Sequence, residues 1–161
     1  MINIILRSAT LIFLIIWKIY WLIHTKEAEI KKPKTDKSKN IIEIILFNVS
    51  AIYILVNLFG FVIFPFNNLL LQVAGFIIVA LGFSEAMIAR INLNDNWTQS
   101  YEFQIKKNHE LIIKGIYKYV RHPIYGGLIM MSTGALIVSS SYTFIVCLII
   151  VLFVVKFFAR R

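Results

Sequence analysis

With a single cysteine in 161 residues, the chain can form no intramolecular disulfide. That cysteine, Cys147, stands inside an apolar run and reads as a small buried apolar side chain. No Gly-x-Gly occurs anywhere, so the glycine fingerprint of the Rossmann-type nucleotide-binding fold is missing. Three histidines are present, and no second histidine or cysteine stands at ligand spacing from His24 or His109, so no metal site is expected. Charge is scarce at 16% of residues, against 59% hydrophobic, which leaves too little polar surface for a soluble domain of this length. Internal repeats and long low-complexity tracts are absent as well. No small-residue cleavage site separates the first apolar stretch from the lysines after it, so that stretch is read as a retained anchor rather than a signal peptide.

What is present is a series of apolar runs. Five are expected to span a membrane: Ile4–Ile23, Ile41–Phe64, Leu69–Ala89, Ile124–Ser140 and Tyr142–Phe158. A hydrocarbon core of about 30 Å needs about 20 helical residues. The last two runs are shorter and joined through "SSSY", which predicts a tight helical hairpin. The expected fold class is thus an all-α integral membrane protein of one domain, residues 1–161, with about five transmembrane helices. Residues 1–89 supply three N-terminal spans with a Lys-rich loop at 24–40. Residues 90–161 supply a cytoplasmic segment, expected to bind a cofactor, and the C-terminal helical hairpin.

The net charge of +9 comes from 17 basic and 8 acidic side chains, and its placement argues against nucleic acid as a partner. Fifteen of the cations follow the first and third runs or stand at and beyond the end of the fifth, whereas the turns "FPFNN" and "SSS" have none. The positive-inside rule then puts the N-terminus outside and the C-terminus in the cytoplasm. Arg7 alone lies near the outer face, and Lys18 can snorkel inward. The loop "HTKEAEIKKPKTDKSKN" is read as a solvated cytoplasmic segment drawn to anionic lipid.

Chemistry concentrates between Arg90 and Pro123. "SYEFQIKK" alternates apolar and polar residues, which suggests a short strand or an interfacial piece. "GIYKYVRHPIYGG" then sets cations, a histidine and tyrosines directly before an apolar run. Arg121 offers a planar fork of donors for a carboxylate or phosphate. His122 can donate, accept or titrate near neutrality. Pro123 fixes the entry to the next helix, and Gly126 and Gly127 allow a ligand close to the backbone near free N–H groups. These residues suit a charged cofactor at the cytoplasmic face. They equally suit an aromatic-belted helix entrance, where arginine and tyrosine gather in any case. Glu85, in the third run, is read as snorkelling or pairing with Arg90, or else as lining a reaction chamber. Gly127 and Gly134, seven apart, permit close helix packing.

"LNDNWT" at Leu93–Thr98 followed by "HELIIKGIYKYVRHPIYGG" at His109–Gly127 resembles the isoprenylcysteine carboxyl methyltransferase family, whose wider group includes phospholipid N-methyltransferases. The resemblance runs from Arg90 to about Phe158. It implies S-adenosylmethionine as cofactor, held by Tyr117, Arg121, His122, Pro123, Tyr125 and Gly126. Of these, Arg121, His122 and Tyr125 would act in catalysis, and Asn96, Trp97 and Glu85 would shape the pocket of a lipophilic or membrane-anchored substrate. The acceptor's nature (carboxylate, amine or thiol) stays open, as does the oligomeric state.

Two departures bear on activity. Relatives usually continue past the last span into a tail with an arginine, an acidic pair and aromatic residues. This sequence ends at "KFFARR" with no carboxylates after it, so a truncated, weakly binding or non-catalytic bundle is one alternative reading. A second alternative is a membrane NADPH-dependent sterol or enone reductase, which shares a related Arg-His-Pro element. Those enzymes usually read Ser-Arg-His-Pro-Asn-Tyr, whereas Val120 and Ile124 flank the element here.

Overall fold

The computed structural model of the chain describes residues 2–24, 37–93 and 113–150. Four α-helices run through them: α1 (Ile2–His24), α2 (Lys37–Leu58), α3 (Leu69–Leu93) and α4 (Pro123–Val138). One turn of 3-10 helix, Gly115–Lys118, precedes α4, and residues 143–150 are helical again. No strand occurs among the described residues, where the nearest approach to one is an isolated antiparallel bridge, Pro65 to Ser141.

Local chemistry sets the helix ends. Asn68 caps α3, its Oδ1 accepting the Leu71 N–H at 3.0 Å. Pro123 occupies the first turn of α4, where its missing N–H costs nothing. α2 stops at a Schellman closure: Gly60 sits at φ +104°, with Gly60 N–H donating to Asn57 O and Phe61 N–H to Val56 O. α4 ends the same way without glycine. Ser140 takes φ +65°, and the Ser140 and Ser141 N–H groups donate to Ile137 O and Leu136 O.

These caps correct the boundaries read from hydropathy. The second run, expected over Ile41–Phe64, is helical only to Leu58 and begins earlier, at Lys37. Phe59 to Phe64 stay apolar but belong to a loop, because the left-handed Gly60 turns the chain out of the helix. The third helix continues past Ala89 to Leu93. The expected strand or interfacial piece at 100–107, most of the Lys-rich loop, and Asn96 and Trp97 lie outside the described residues.

α3 and α4 form the tightest pair, and glycine is the reason. Gly75 and Gly82 on α3 face Gly134 and Gly127 on α4. A Cβ on Gly127 would stand 2.5 Å from Gly82 O, and one on Gly134 would stand 2.7 Å from Gly75 O. Backbone therefore meets backbone at two levels one heptad apart, the small-residue packing that membrane helices use where no hydrophobic force draws them together. α1 packs on α3, and α2 touches α4. Thr133 Oγ1 lies 3.7 Å from the half-buried Cys147 Sγ, tying segment 143–150 back onto α4 as a hairpin.

The two uncharged turns meet at one end of the bundle. Tyr142 N–H donates to Phe64 O at 3.0 Å, Phe66 N–H to Ser140 O at 2.8 Å, and Gln72 Nε2 to Ser140 Oγ at 2.5 Å. The start of α1 joins them, with Arg7 Nη2 donating to Ser139 O at 2.7 Å. Trp17, the end of α3 and the 3-10 turn gather at the opposite end in a separate apolar cluster.

Two helical stretches, Ile2–Ile23 and Leu69–Leu93, are long and apolar enough to cross a membrane, and α4 is a shorter apolar helix. Only 11% of the first span and 28% of the second are buried within the protein. A helix serving as the core of a soluble protein would be largely covered. Here Ile12, Ile16, Ile19 and Leu22 of α1 and Ile77, Leu81 and Ile88 of α3 are exposed, a surface suited to lipid.

Candidate functional site

The site forms where α3 ends and α4 begins. Gly115 opens the 3-10 turn at φ +60° and lies against the Asn92 side chain so closely that no Cβ fits. This contact fastens the turn to the last residues of α3. Ile116 and Tyr117 then point inward, packing on a core of Trp17, Ala86, Ala89, Ile124 and Met131. Lys118 and Tyr119 remain outside, with the Lys118 ammonium 5.7 Å from the Tyr119 ring.

Beyond the turn, Arg121 and His122 are exposed, whereas Pro123 and Ile124 are buried. His122 is the N-cap residue of α4, and its side chain makes no capping bond. Its ring meets that of Tyr125 edge-on at 6.3 Å, and Tyr125 is itself 55% exposed. The sequence thus anchors a short polar ridge by the residues that flank it: a half-buried Tyr117 before it and buried Pro123 and Ile124 within it. Tyr117, Pro123 and Ile124 fix the backbone, and Arg121, His122 and Tyr125 stand free on it.

Below this ridge lies Glu85 on α3. A Cβ on Gly126 would stand 3.2 Å from Glu85 Oε1, so the half-buried carboxylate covers the first turn of α4. Glycine at 126 is what admits it. Pairing with Arg90, one of the alternatives read for Glu85, is not formed; Glu85 makes no ion pair or hydrogen bond among the described residues. Arg90 is 5% exposed and turns toward α1, its guanidinium 5.6 Å from the centre of the Trp21 ring. Trp21 in turn lies 4.9 Å from Trp17.

This Arg90–Trp21–Trp17 stack was not read from the sequence. Its signal was available in two tryptophans four apart, facing one way on a helix that ends where the cations begin. What hydropathy could not supply was which other helix end would meet them.

Burial raises the Tyr117 phenol above its ordinary 10.0, and the Arg90 guanidinium opposes that in part. A raised phenol favours the neutral form in the folded protein, so its contribution to stability is complete below pH 10 and shrinks as pH climbs further. Thermal unfolding in detergent is therefore expected to fall more steeply above pH 10 for the native chain than for Tyr117→Phe, the other titrating groups being common to both. Equal slopes would mean that the phenol is as well solvated folded as unfolded.

Of the residues expected at the site, Tyr117, Arg121, His122, Pro123, Tyr125 and Gly126 thus stand in one short stretch at the start of α4, and Glu85 reaches that stretch from the facing helix at Gly126. Asn96 and Trp97 lie outside the described residues. Among the described residues there is no cluster of metal-ligating side chains.

No curated protein and no solved structure matches the chain. Residues 70–161, more than half its length, match the family described as phospholipid methyltransferase. That match takes in α3, with its glycines and Glu85, as well as the ridge and the hairpin. With a family match across both helices that build the site, and spans suited to a bilayer, the chain is a membrane protein and belongs to the phospholipid methyltransferase family.

Proposed function

We propose that the protein is an S-adenosylmethionine-dependent methyltransferase acting on a membrane-borne acceptor. The observation that carries this reading is the exposed Arg121–His122–Tyr125 ridge, held by the buried Pro123 and Ile124 and followed at once by Gly126, against which the Glu85 carboxylate lies. The donor set fits the cofactor's chemistry. A guanidinium suits a carboxylate group, Glu85 suits a cationic centre, and tyrosine faces suit a sulfonium at roughly 0.5–2 kcal/mol each. When bound, the cofactor supplies an activated methyl on sulfur, so no covalent nucleophile is required of the protein.

The chain's own residues would bind and orient. Arg121 and His122 would hold the cofactor's polar groups at the surface, and Tyr117 and Pro123 would fix the backbone that carries them. Tyr125, on the first turn of α4, is exposed where an acceptor's polar end would arrive, and Gly126 beside it faces Glu85. Alignment of acceptor and methyl can contribute up to about 7–11 kcal/mol in favourable cases, and exclusion of water adds to it. The reading includes a multi-pass topology with the N-terminus outside and the ridge cytoplasmic, supported by the Lys/Arg placement and by the two uncharged turns meeting at the other end.

The family described by the match points to lipid, whereas the motif resembles the isoprenylcysteine carboxyl type, so the acceptor is the quantity to measure. Membranes expressing the chain, given cofactor labelled on its methyl, are expected to place label in lipid or lipidated protein above vector-only membranes. Label in neither fraction, together with stabilisation by NADPH and none by S-adenosylhomocysteine, would replace this reading with the reductase.

A further inference from the structure

At the end of the bundle remote from the ridge, the start of α1 and the end of α2 enclose a groove of about 230 Å³. Its lining is Ile4, Arg7, Ser8, Leu11, Leu58 and Phe59. Four of these are apolar, and Ile4 and Phe59 are about 70% exposed, so the groove opens onto the surface that faces lipid.

Arg7 is the anomaly. Its Nη2 donates to Ser139 O at 2.7 Å. Its Nε is buried and has no hydrogen-bond partner among the described residues. Its Nη1 passes beside Gly60, where a Cβ would stand 3.4 Å away. A guanidinium has five N–H donors and cannot shed its charge, so one carbonyl leaves it far from satisfied. No counter-charge is at hand. Every acidic side chain in the sequence falls within residues 27–43 or 85–110, whereas this end is built from the start of α1 and from the turns at 59–68 and 139–142. A half-buried cation in apolar surroundings without an anion is costly, and the fork of arginine matches phosphate oxygens two at a time.

We propose that this groove binds an anionic phospholipid, its phosphate on Arg7 and an acyl chain along Ile4, Leu11, Leu58 and Phe59. The site sits at the opposite end of the bundle from Arg121, so its lipid comes from the other leaflet and is not the methyl acceptor. The proposal stands independently of the reaction at the ridge.

The test uses the full chain in detergent and reads the concentration of added ligand that gives half the maximal rise in thermal midpoint. The ligands are a short-chain phosphatidylglycerol, a phosphatidylcholine of equal chain length, and inorganic phosphate. Phosphatidylglycerol is expected to act at the lowest concentration. Arg7→Gln is expected to weaken it by about tenfold or more, the scale of one charge-assisted hydrogen bond. Since Arg7→Gln also removes the bond to Ser139, Ser8→Phe is the second variant. It fills the groove, leaves Arg7 in place, and should weaken the lipid without altering the midpoint of the lipid-free protein. Lysines elsewhere in the chain attract anionic lipid equally in all three proteins, so the differences report the groove alone. Equal action of the two lipids overturns the proposal, as does full replacement of the lipid by inorganic phosphate. Unchanged lipid affinity in either variant overturns it too.

Discussion

Arg121→Ala is expected to lower methyl transfer by about two to three orders of magnitude, the usual cost of removing one charged donor from a preorganised site. His122→Ala should act in the same direction. Both side chains are exposed and make no contact that holds the helices together, and the half-buried Tyr117 and buried Pro123 and Ile124 near them are unchanged by the substitution. The folded bundle should therefore survive, with a thermal midpoint close to that of the native chain. The loss should appear as weaker binding of S-adenosylhomocysteine, measured by calorimetry in detergent, and as a slower rate in the labelled-methyl assay. Arg121→Lys keeps the charge but not the fork, and should recover only part of the affinity. If Arg121→Ala and His122→Ala both bind the product cofactor as tightly as the native protein, the ridge is a helix entrance and not a binding site.

The second large effect is on the fold. Gly127→Leu is expected to separate α3 from α4. Even a methyl at this position would stand 2.5 Å from Gly82 O and 2.8 Å from Ala86 Cβ. One of those obstacles is backbone, which cannot rotate aside as a side chain can. Overpacking of a well-fitted core typically costs about 1–3 kcal/mol, and a branched side chain between two glycine-paired helices belongs at the upper end. Because Gly127 follows Tyr125 and Gly126, the same shift would lift the ridge away from Glu85. The expected result is a lower thermal midpoint together with loss of cofactor binding, which separates this variant from Arg121→Ala. Gly126→Ala is the contrasting case. Its Cβ would meet only the mobile end of Glu85, at 3.2 Å, so the fold should hold while the carboxylate moves. A native midpoint for Gly127→Leu would show that the helices can part by that amount at no cost.

Much of this was legible in the residues. Long apolar runs can only be helices in lipid, because every backbone N–H and C=O must find its partner within the segment. That rule placed α1, α3 and α4 to within a few residues. The spacing of Gly127 and Gly134 foretold close packing on one face, and the structure supplied the facing glycines at 82 and 75. The polar motif identified itself by its position before α4. The boundary of α2 was misread because hydropathy measures composition, and Phe59 to Phe64 are as greasy as the helix before them. What ends that helix is one glycine in a left-handed conformation, a backbone property that carries no hydrophobic signal.

The pairing of Glu85 with Arg90 failed for a related reason. Five residues apart on a helix, the two point about 140° apart, since each residue advances about 100°. Each therefore takes its surroundings from a different neighbour: Arg90 from the tryptophans of α1, and Glu85 from the glycine turn of α4. One-dimensional pattern thus determined which segments are helical and where the polar motif stands between them. Three-dimensional packing alone decided what that motif rests on, because whether a carboxylate from α3 can lie over the first turn of α4 depends on how closely two helices approach, and that distance was set by glycines about one to three turns away from the charge.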